Sequence, residues 1–156
     1  METAEIHIRR GTPNDWKMIV EYNRRLAEES EGKQLDLAIL EAGVRSMLAD
    51  ETKGRYFVAC QGERIVGQMM HTWEWSDWRN GHIWWLQSVY VHPEFRRRGV
   101  FRRLFEAVAA AAAADPQVVG IRLYVERENE VAQETYRRLG LRDAGYRVME
   151  QMFRGS

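Results

Sequence analysis

The chain has 156 residues, 45% of them hydrophobic and 29% charged, which is the composition of a globular domain with enough apolar side chains for a core. Its 23 Lys and Arg balance its 23 Asp and Glu, so no global attraction to nucleic acid or to a membrane surface is expected, and any charge-driven binding must come from local clusters. Cys60 is the single cysteine, which excludes an intrachain disulfide and a multi-cysteine zinc site and suits a reducing, cytoplasmic setting. Residues 1–10 form neither a signal peptide nor a span, and no later run approaches the ~20 apolar residues that a span needs.

Ile6 and Ile8 alternate with polar neighbours, as in a short strand. Thr12, Pro13 and Asp15 carry a helix-start pattern, and Trp16, Ile19, Val20, Leu26 and Ala27 follow at helical spacing. The stretch from Ser30 to Gln34 is a polar loop. Asp36 caps a second expected helix that carries Leu37, Leu40, Val44, Met47 and Leu48. Strand signals then run from Tyr56 to Cys60, from Arg64 to about Trp75 and from His82 to Val91. Gln61-Gly62 marks a tight turn and Asn80-Gly81 a hairpin. Arg98–Ala114 is an expected helix, its alanine-rich end explained by alanine's helix propensity. Val118–Val125 is a strand, Asn129–Leu139 a helix ended by Gly140, and Tyr146–Phe153 alternates as a last strand. The order β-α-α-β-β-β-α-β-α-β implies an α/β (α+β) fold over residues 1–156: one domain, a mixed central sheet flanked by helices.

Two segments carry chemistry. The first, Val91-His92-Pro93-Glu94-Phe95-Arg96-Arg97-Arg98-Gly99-Val100-Phe101-Arg102, joins an apolar strand to a long helix. A glycine-containing strand-to-helix turn can aim several backbone N–H groups at one point, and the helix N-terminus adds partial positive charge. Such a turn suits phosphate or pyrophosphate. It lacks the Gly-Lys-Ser/Thr of nucleoside-triphosphate loops and the glycine spacing of dinucleotide folds. Alone, it also reads as a solvated arginine-rich helix start. The second segment is Asn129-Glu130-Val131-Ala132-Gln133-Glu134-Thr135-Tyr136-Arg137-Arg138-Leu139-Gly140-Leu141, after the strand Ile121–Val125. Ala132 and Tyr136 share a helical face. In isolation its asparagine is a cap and its tyrosine a core residue.

Together, in this order, the two segments resemble the GNAT superfamily of N-acetyltransferases. Arg96, Gly99 and Phe101 stand at the defined positions of that family's Q/R-x-x-G-x-G/A, with Phe101 in place of a small residue. The second segment matches N-x-x-A-x-x-x-Y-x-x-x-G-F except at Leu141. The resemblance implies an acetyl-CoA-dependent enzyme acting on a primary amine, of a small molecule or a peptide, by direct attack in a ternary complex. It implies that Val89, Tyr90 and Val91 align the pantetheine arm and that Arg96, Arg97, Arg98, Gly99, Val100, Phe101 and Arg102 wrap the pyrophosphate. Tyr136 is then the general acid, and Asn129 bonds near the pantetheine or a water. Homodimers are common in that family. No metal, nucleic acid or membrane partner is expected.

The general base is not marked. Where several family members carry a glutamate, this chain has Gln87 and Ser88. Gln87 can position water or substrate but cannot take a proton. Glu74, Asp77 and Glu126 are alternative bases, as is solvent. Trp73-Glu74-Trp75-Ser76-Asp77-Trp78, with Trp84 and Trp85, suggests an aromatic, anionic substrate pocket or an interface. A non-catalytic acyl-CoA-binding module on the same fold is the alternative, favoured by Gln87 and Phe101.

Overall fold

The computed structural model describes residues 5–155. The chain divides into two compact units, Met1–Leu123 and Tyr124–Ser156, described in turn.

The first unit is built on a five-stranded sheet: β1 (Ile6–Arg10), β2 (Arg55–Gln61), β3 (Arg64–Ser76), β4 (Gly81–Val91) and β5 (Val118–Leu123), in that spatial order. The first four strands are antiparallel and β5 runs parallel to β4. Hairpins join β2 to β3 and β3 to β4, residues 11–54 lie between β1 and β2, and the parallel pair requires the crossover supplied by α3 (Val100–Ala114). The hairpin loop between β3 and β4 spans residues 77–80. Asn80 closes it with φ 49° and Gly81 opens the next strand, so the Asn-Gly pair does not form a two-residue turn. Glycine is required at 81 because a Cβ there would lie 2.5 Å from Val119 Cγ1.

α1 (Trp16–Glu31) and α2 (Leu37–Ala49) cover one face of the sheet. Ile19, Tyr22 and Val44 from these helices pack with Tyr56, Val58, Cys60, Met70 and Tyr90 from the strands. α1 begins later and ends later than its pattern suggests. Pro13–Asp15 forms a 3-10 turn first, where the Thr12 N–H donates to Asp15 Oδ2 at 2.7 Å, and the helix runs through Ser30 to Glu31 before Gly32 ends it at φ 61°. Asp36 caps α2 as expected, accepting from the Ala38 and Ile39 N–H groups. α3 covers the opposite face, and it packs so closely on β3 that a Cβ at Gly67 would lie 3.1 Å from Val100 Cγ1.

The second unit holds α4 (Glu130–Arg138). Residues 141–155 form neither helix nor strand. The strand expected over Tyr146–Phe153 is therefore absent, and its large side chains are exposed, Met149 at 93% and Phe153 at 79%. Alternation assigns side chains to faces, but a strand exists only where its backbone finds a ladder partner. The described residues of this unit contain no strand.

Candidate active site

The site begins with an irregularity in β4. Gln68 pairs with Tyr90 and Met70 with Gln87, so one residue of β3 faces two of β4, Ser88 and Val89. This is a β-bulge, and Ser88 takes φ 52° within it, a conformation that costs a residue bearing a Cβ about 1 kcal/mol or more. Three side chains hold it there. Gln68, wholly buried, donates from Nε2 to the Ser88 carbonyl at 3.0 Å. The Ser88 hydroxyl lies in hydrogen-bonding reach of the buried Tyr56 hydroxyl. Asn23 in turn donates to Tyr56 at 3.1 Å and to the Ile19 carbonyl at 2.9 Å.

The bulge also marks where β4 loses its outer neighbour. The parallel ladder with β5 ends at Leu86 and Leu123. Beyond it, Val89, Tyr90 and Val91 line a cleft of about 520 Å³, with Leu26, Glu29 and Ser30 at the end of α1 and Arg96, Arg97, Gly99, Val100, Phe101 and Arg102 at the start of α3. The residues singled out in the first motif are thus gathered in one place. Arg98, the exception among them, is turned to the Glu94 carbonyl and the face of Phe95.

The loop before α3 has the backbone of an anion site. Arg97 has φ 63° and Gly99 has φ 79°, two left-handed residues flanking Arg98 immediately before a helix N-terminus. Such alternation turns successive N–H groups to one side. Nothing lies within 4 Å of the position of a Gly99 Cβ, so it is conformation, not packing, that asks for glycine. Arg96 is a strut of the wall: its Nε donates to the Val91 carbonyl at 2.9 Å, a terminal nitrogen pairs with Glu29 at 3.0 Å, and the guanidinium sits over the Tyr90 ring. Arg102 pairs with Glu106 one turn on. Phe101 lies beside Phe105, ring centroids 6.4 Å apart. The charge, the left-handed backbone and the open strand edge can take an anionic group joined to an extended arm.

On the face that carries α1, Gln87 donates to Thr72 Oγ1 at 2.8 Å. Glu74 lies on the same face, four residues from Met70, opposite Ile83, and its carboxylate accepts from Arg122 of β5 at 2.8 Å. At about 3.3 Å per residue, that places Glu74 roughly 13 Å along the strands from the level of Gln87. The tryptophan-rich hairpin does not form one aromatic, anionic pocket. Strand alternation sends Trp73 and Trp75 to the face opposite Glu74, where Trp73 and Trp84 pack with His71 and Trp75 packs with His82. Trp78, at the loop, is 90% exposed.

In the second unit, Asn129 caps α4, its Oδ1 accepting from the Ala132 N–H at 3.0 Å. Burial pushes the Tyr136 phenol above its ordinary value near 10, so it is protonated at neutral pH and able to donate.

A family model for the acetyltransferase (GNAT) family matches residues 16–141. The chain belongs to this family. In sequence it is 32% identical over 83 residues to a thialysine N-epsilon-acetyltransferase of Bos taurus, covering 53% of this chain and 48% of that protein, and 34% identical over 83 residues to the Sus scrofa protein of the same name. The chain thus spans about half the length of the curated relatives it matches. Among solved structures it resembles a possible acetyltransferase from Clostridium difficile 630, with 44% identity, a TM-score of 0.89, and 94% of this chain and 97% of that one covered. An aminoglycoside N-acetyltransferase, AAC(6')-Iy, solved in complex with CoA, shares the fold at a TM-score of 0.75 and 17% identity, over 97% of each chain.

Two residues that hold the Ser88 bulge were not singled out from sequence, Gln68 and Tyr56. The signal for Gln68 was available: it is the one polar side chain in the run Ile65–Met70, and a buried polar group must find a partner.

Proposed function

We propose that this GNAT chain is an N-acetyltransferase that takes acetyl-CoA in the cleft of the first unit and acetylates a primary amine of a small molecule or peptide. The observation that carries the proposal is the pair of left-handed residues, Arg97 and Gly99, opening onto the same cleft as the unpartnered edge of β4. The backbone N–H groups of the loop and the charges of Arg97 and Arg102 hold phosphate, with Arg96 shaping the wall. Val89–Val91 offers backbone groups to an extended amide-bearing arm.

Bound acetyl-CoA supplies a thioester whose acetyl carbon accepts the amine nitrogen as the C–S bond breaks, its electron pair leaving on sulfur. The backbone at the bulge receives the carbonyl oxygen, where fixed N–H donors act most strongly. Tyr136 gives its proton to the departing sulfur, a role supported by its place in the second motif and by its protonated state. The proton lost by the amine passes to solvent and restores the phenol. Gln87, held by Thr72, positions the amine. Glu74 already engages Arg122 and lies far along the strands, so it serves the distant part of the acceptor, not the proton transfer. Asn129 fixes the start of the helix that carries Tyr136.

The name of the mammalian relatives puts the ε-amine of thialysine first among acceptors to try. A cytoplasmic site of action fits the lone, buried Cys60, and exposed Trp75 and Trp78 suit a homodimer contact. A non-catalytic acyl-CoA-binding module is the second reading, favoured by the amide at Gln87. Calorimetric titration of acetyl-CoA tests the common premise: saturable binding is expected for wild type and its loss in Gly99→Glu, which puts a carboxylate and a strained φ in the anion loop. A well-folded wild type that binds no acetyl-CoA overturns both readings.

A further inference from the structure

The bulge in β4 does not hold itself. Ser88 sits at φ 52° with a Cβ, in the middle of a strand, and the residues before and after it are in regular ladder register with β3. Something must favour this arrangement over a continuous ladder. The side chain that faces it is Gln68, 0% exposed and lying in a run otherwise made of Ile65, Val66, Gly67, Met69 and Met70. Placing a carboxamide there costs free energy unless its polar atoms are bonded. Its Nε2 donates to the Ser88 carbonyl at 3.0 Å, and Oε1 has no protein partner among the described residues.

The consequence follows from peptide geometry. The Ser88–Val89 bond is trans, so the Ser88 C=O and the Val89 N–H point in opposite directions along one rigid plane. Gln68 on β3 fixes the carbonyl toward β3, which turns the Val89 N–H away from β3. That is the side on which β4 has lost β5, beyond Leu86, and Val89 lines the cleft there. The Tyr56 hydroxyl beside Ser88 Oγ prevents the residue from swinging about this anchor.

We propose that Gln68 is a positioning residue: through the Ser88 carbonyl it aims the Val89 N–H at the acetyl carbonyl oxygen of the bound thioester. This rests on acetyl-CoA being the ligand of the cleft. Gln68 itself touches neither ligand nor acceptor, and the contact it directs is one that acetyl-CoA makes and CoA does not.

The test is therefore the ratio of the two affinities, which needs no acceptor amine. CoA and acetyl-CoA are titrated calorimetrically into wild type, Gln68→Met and Gln68→Glu. Wild type is expected to bind acetyl-CoA roughly 3- to 10-fold more tightly than CoA, the range of one net hydrogen bond. In Gln68→Met the ratio falls to about 1 while CoA affinity stays within about twofold, because the anchor is lost and the phosphate loop is untouched. Gln68→Glu is isosteric and guards against a folding defect in Gln68→Met. Its carboxyl donates to the Ser88 carbonyl only when protonated, so the ratio is kept at low pH and lost as the group ionises, while the wild-type ratio stays flat over the same range. A merely structural glutamine produces no such pH dependence. A wild-type ratio near 1, a ratio kept in Gln68→Met, or a pH-independent ratio in Gln68→Glu overturns the proposal. Wild type that binds neither ligand instead overturns the acetyl-CoA reading on which it rests.

Discussion

Arg96 and Glu29 meet at 3.0 Å at the wall of the cleft, joining the loop before α3 to the last turns of α1. Their side chains are 46% and 45% exposed, so the pair adds little to stability, on the order of 0–1 kcal/mol. Its effect on ligand binding is larger. Glu29 is a carboxylate beside the proposed site for a polyanion, and Arg96 is the cation it partly neutralises. Glu29→Gln is expected to tighten CoA binding by about 2- to 3-fold at low salt, with the gain fading as salt rises. Arg96→Ala is expected to weaken it about tenfold. Both variants should melt within about 2 °C of wild type, and calorimetry with thermal unfolding checks both statements.

A second expectation concerns acid stability. His71 is wholly buried and lies flat on Trp84, with 3.7 Å between ring centroids and 4° between planes. Burial, aided by the charges of Arg55 and Arg10, lowers its pKa from 6.5 to about 4. The unfolded chain takes up this proton near pH 6.5 and the folded chain only near pH 4. Stability from the neutral ring is thus full above about pH 6.5 and is lost as pH falls through about 4, by up to roughly 3 kcal/mol. Unfolding free energies measured by urea titration between pH 7 and pH 4 should decline more steeply in wild type than in His71→Phe, which keeps an aromatic ring and cannot titrate.

The close approach at Gly81 gives a stability prediction with an internal control. A Cβ there meets Val119 Cγ1 at 2.5 Å and the Gln117 carbonyl at 3.0 Å, whereas a Cβ at Gly120, also on β5's side of the sheet, meets nothing within 4 Å. Gly81→Ala should cost about 1–3 kcal/mol by overpacking the β4–β5 contact. Gly120→Ala should be close to neutral. Equal costs at the two sites would mean that the strands part freely at this end.

Much of this was legible in the sequence, for reasons that differ by element. The strands β2, β3 and β4 and the helix α3 came out within two residues because their apolar patterns are long and regular. The loop before α3 and the Asn129–Leu141 segment could be recognised because together, in this order, they resemble the two motifs of the GNAT family. The Ser88 bulge was not legible: Gln87-Ser88-Val89-Tyr90-Val91 reads as an unbroken strand, and its left-handed residue is held by Gln68, Tyr56 and Asn23, which stand on other elements. Of the two roles suggested for the tryptophan hairpin, the single aromatic, anionic pocket failed on alternation, since Trp73 and Glu74 are adjacent in sequence and on opposite faces of the sheet. The Tyr146–Phe153 strand failed because pattern alone cannot supply a ladder partner.

The acceptor side gives a kinetic prediction. Glu74 is engaged by Arg122 and lies roughly 13 Å along the strands from Gln87. Glu74→Gln should raise KM for the amine by about 3- to 10-fold and leave kcat within about twofold, as expected when a group binds substrate and transition state alike. A fall in kcat of a hundredfold would assign Glu74 the proton transfer instead.

The most direct measurement is amine-dependent release of free CoA thiol from acetyl-CoA, with thialysine, lysine and polyamines as acceptors, in wild type and Tyr136→Phe. The expected result is turnover by wild type with at least one of these amines, a kcat lower by about 10²-fold or more in Tyr136→Phe, and unchanged acetyl-CoA affinity in the variant. Equal turnover by the two proteins would contradict the role of Tyr136. Saturable acetyl-CoA binding without amine-dependent release would contradict the acetyltransferase assignment and leave the chain a binding module.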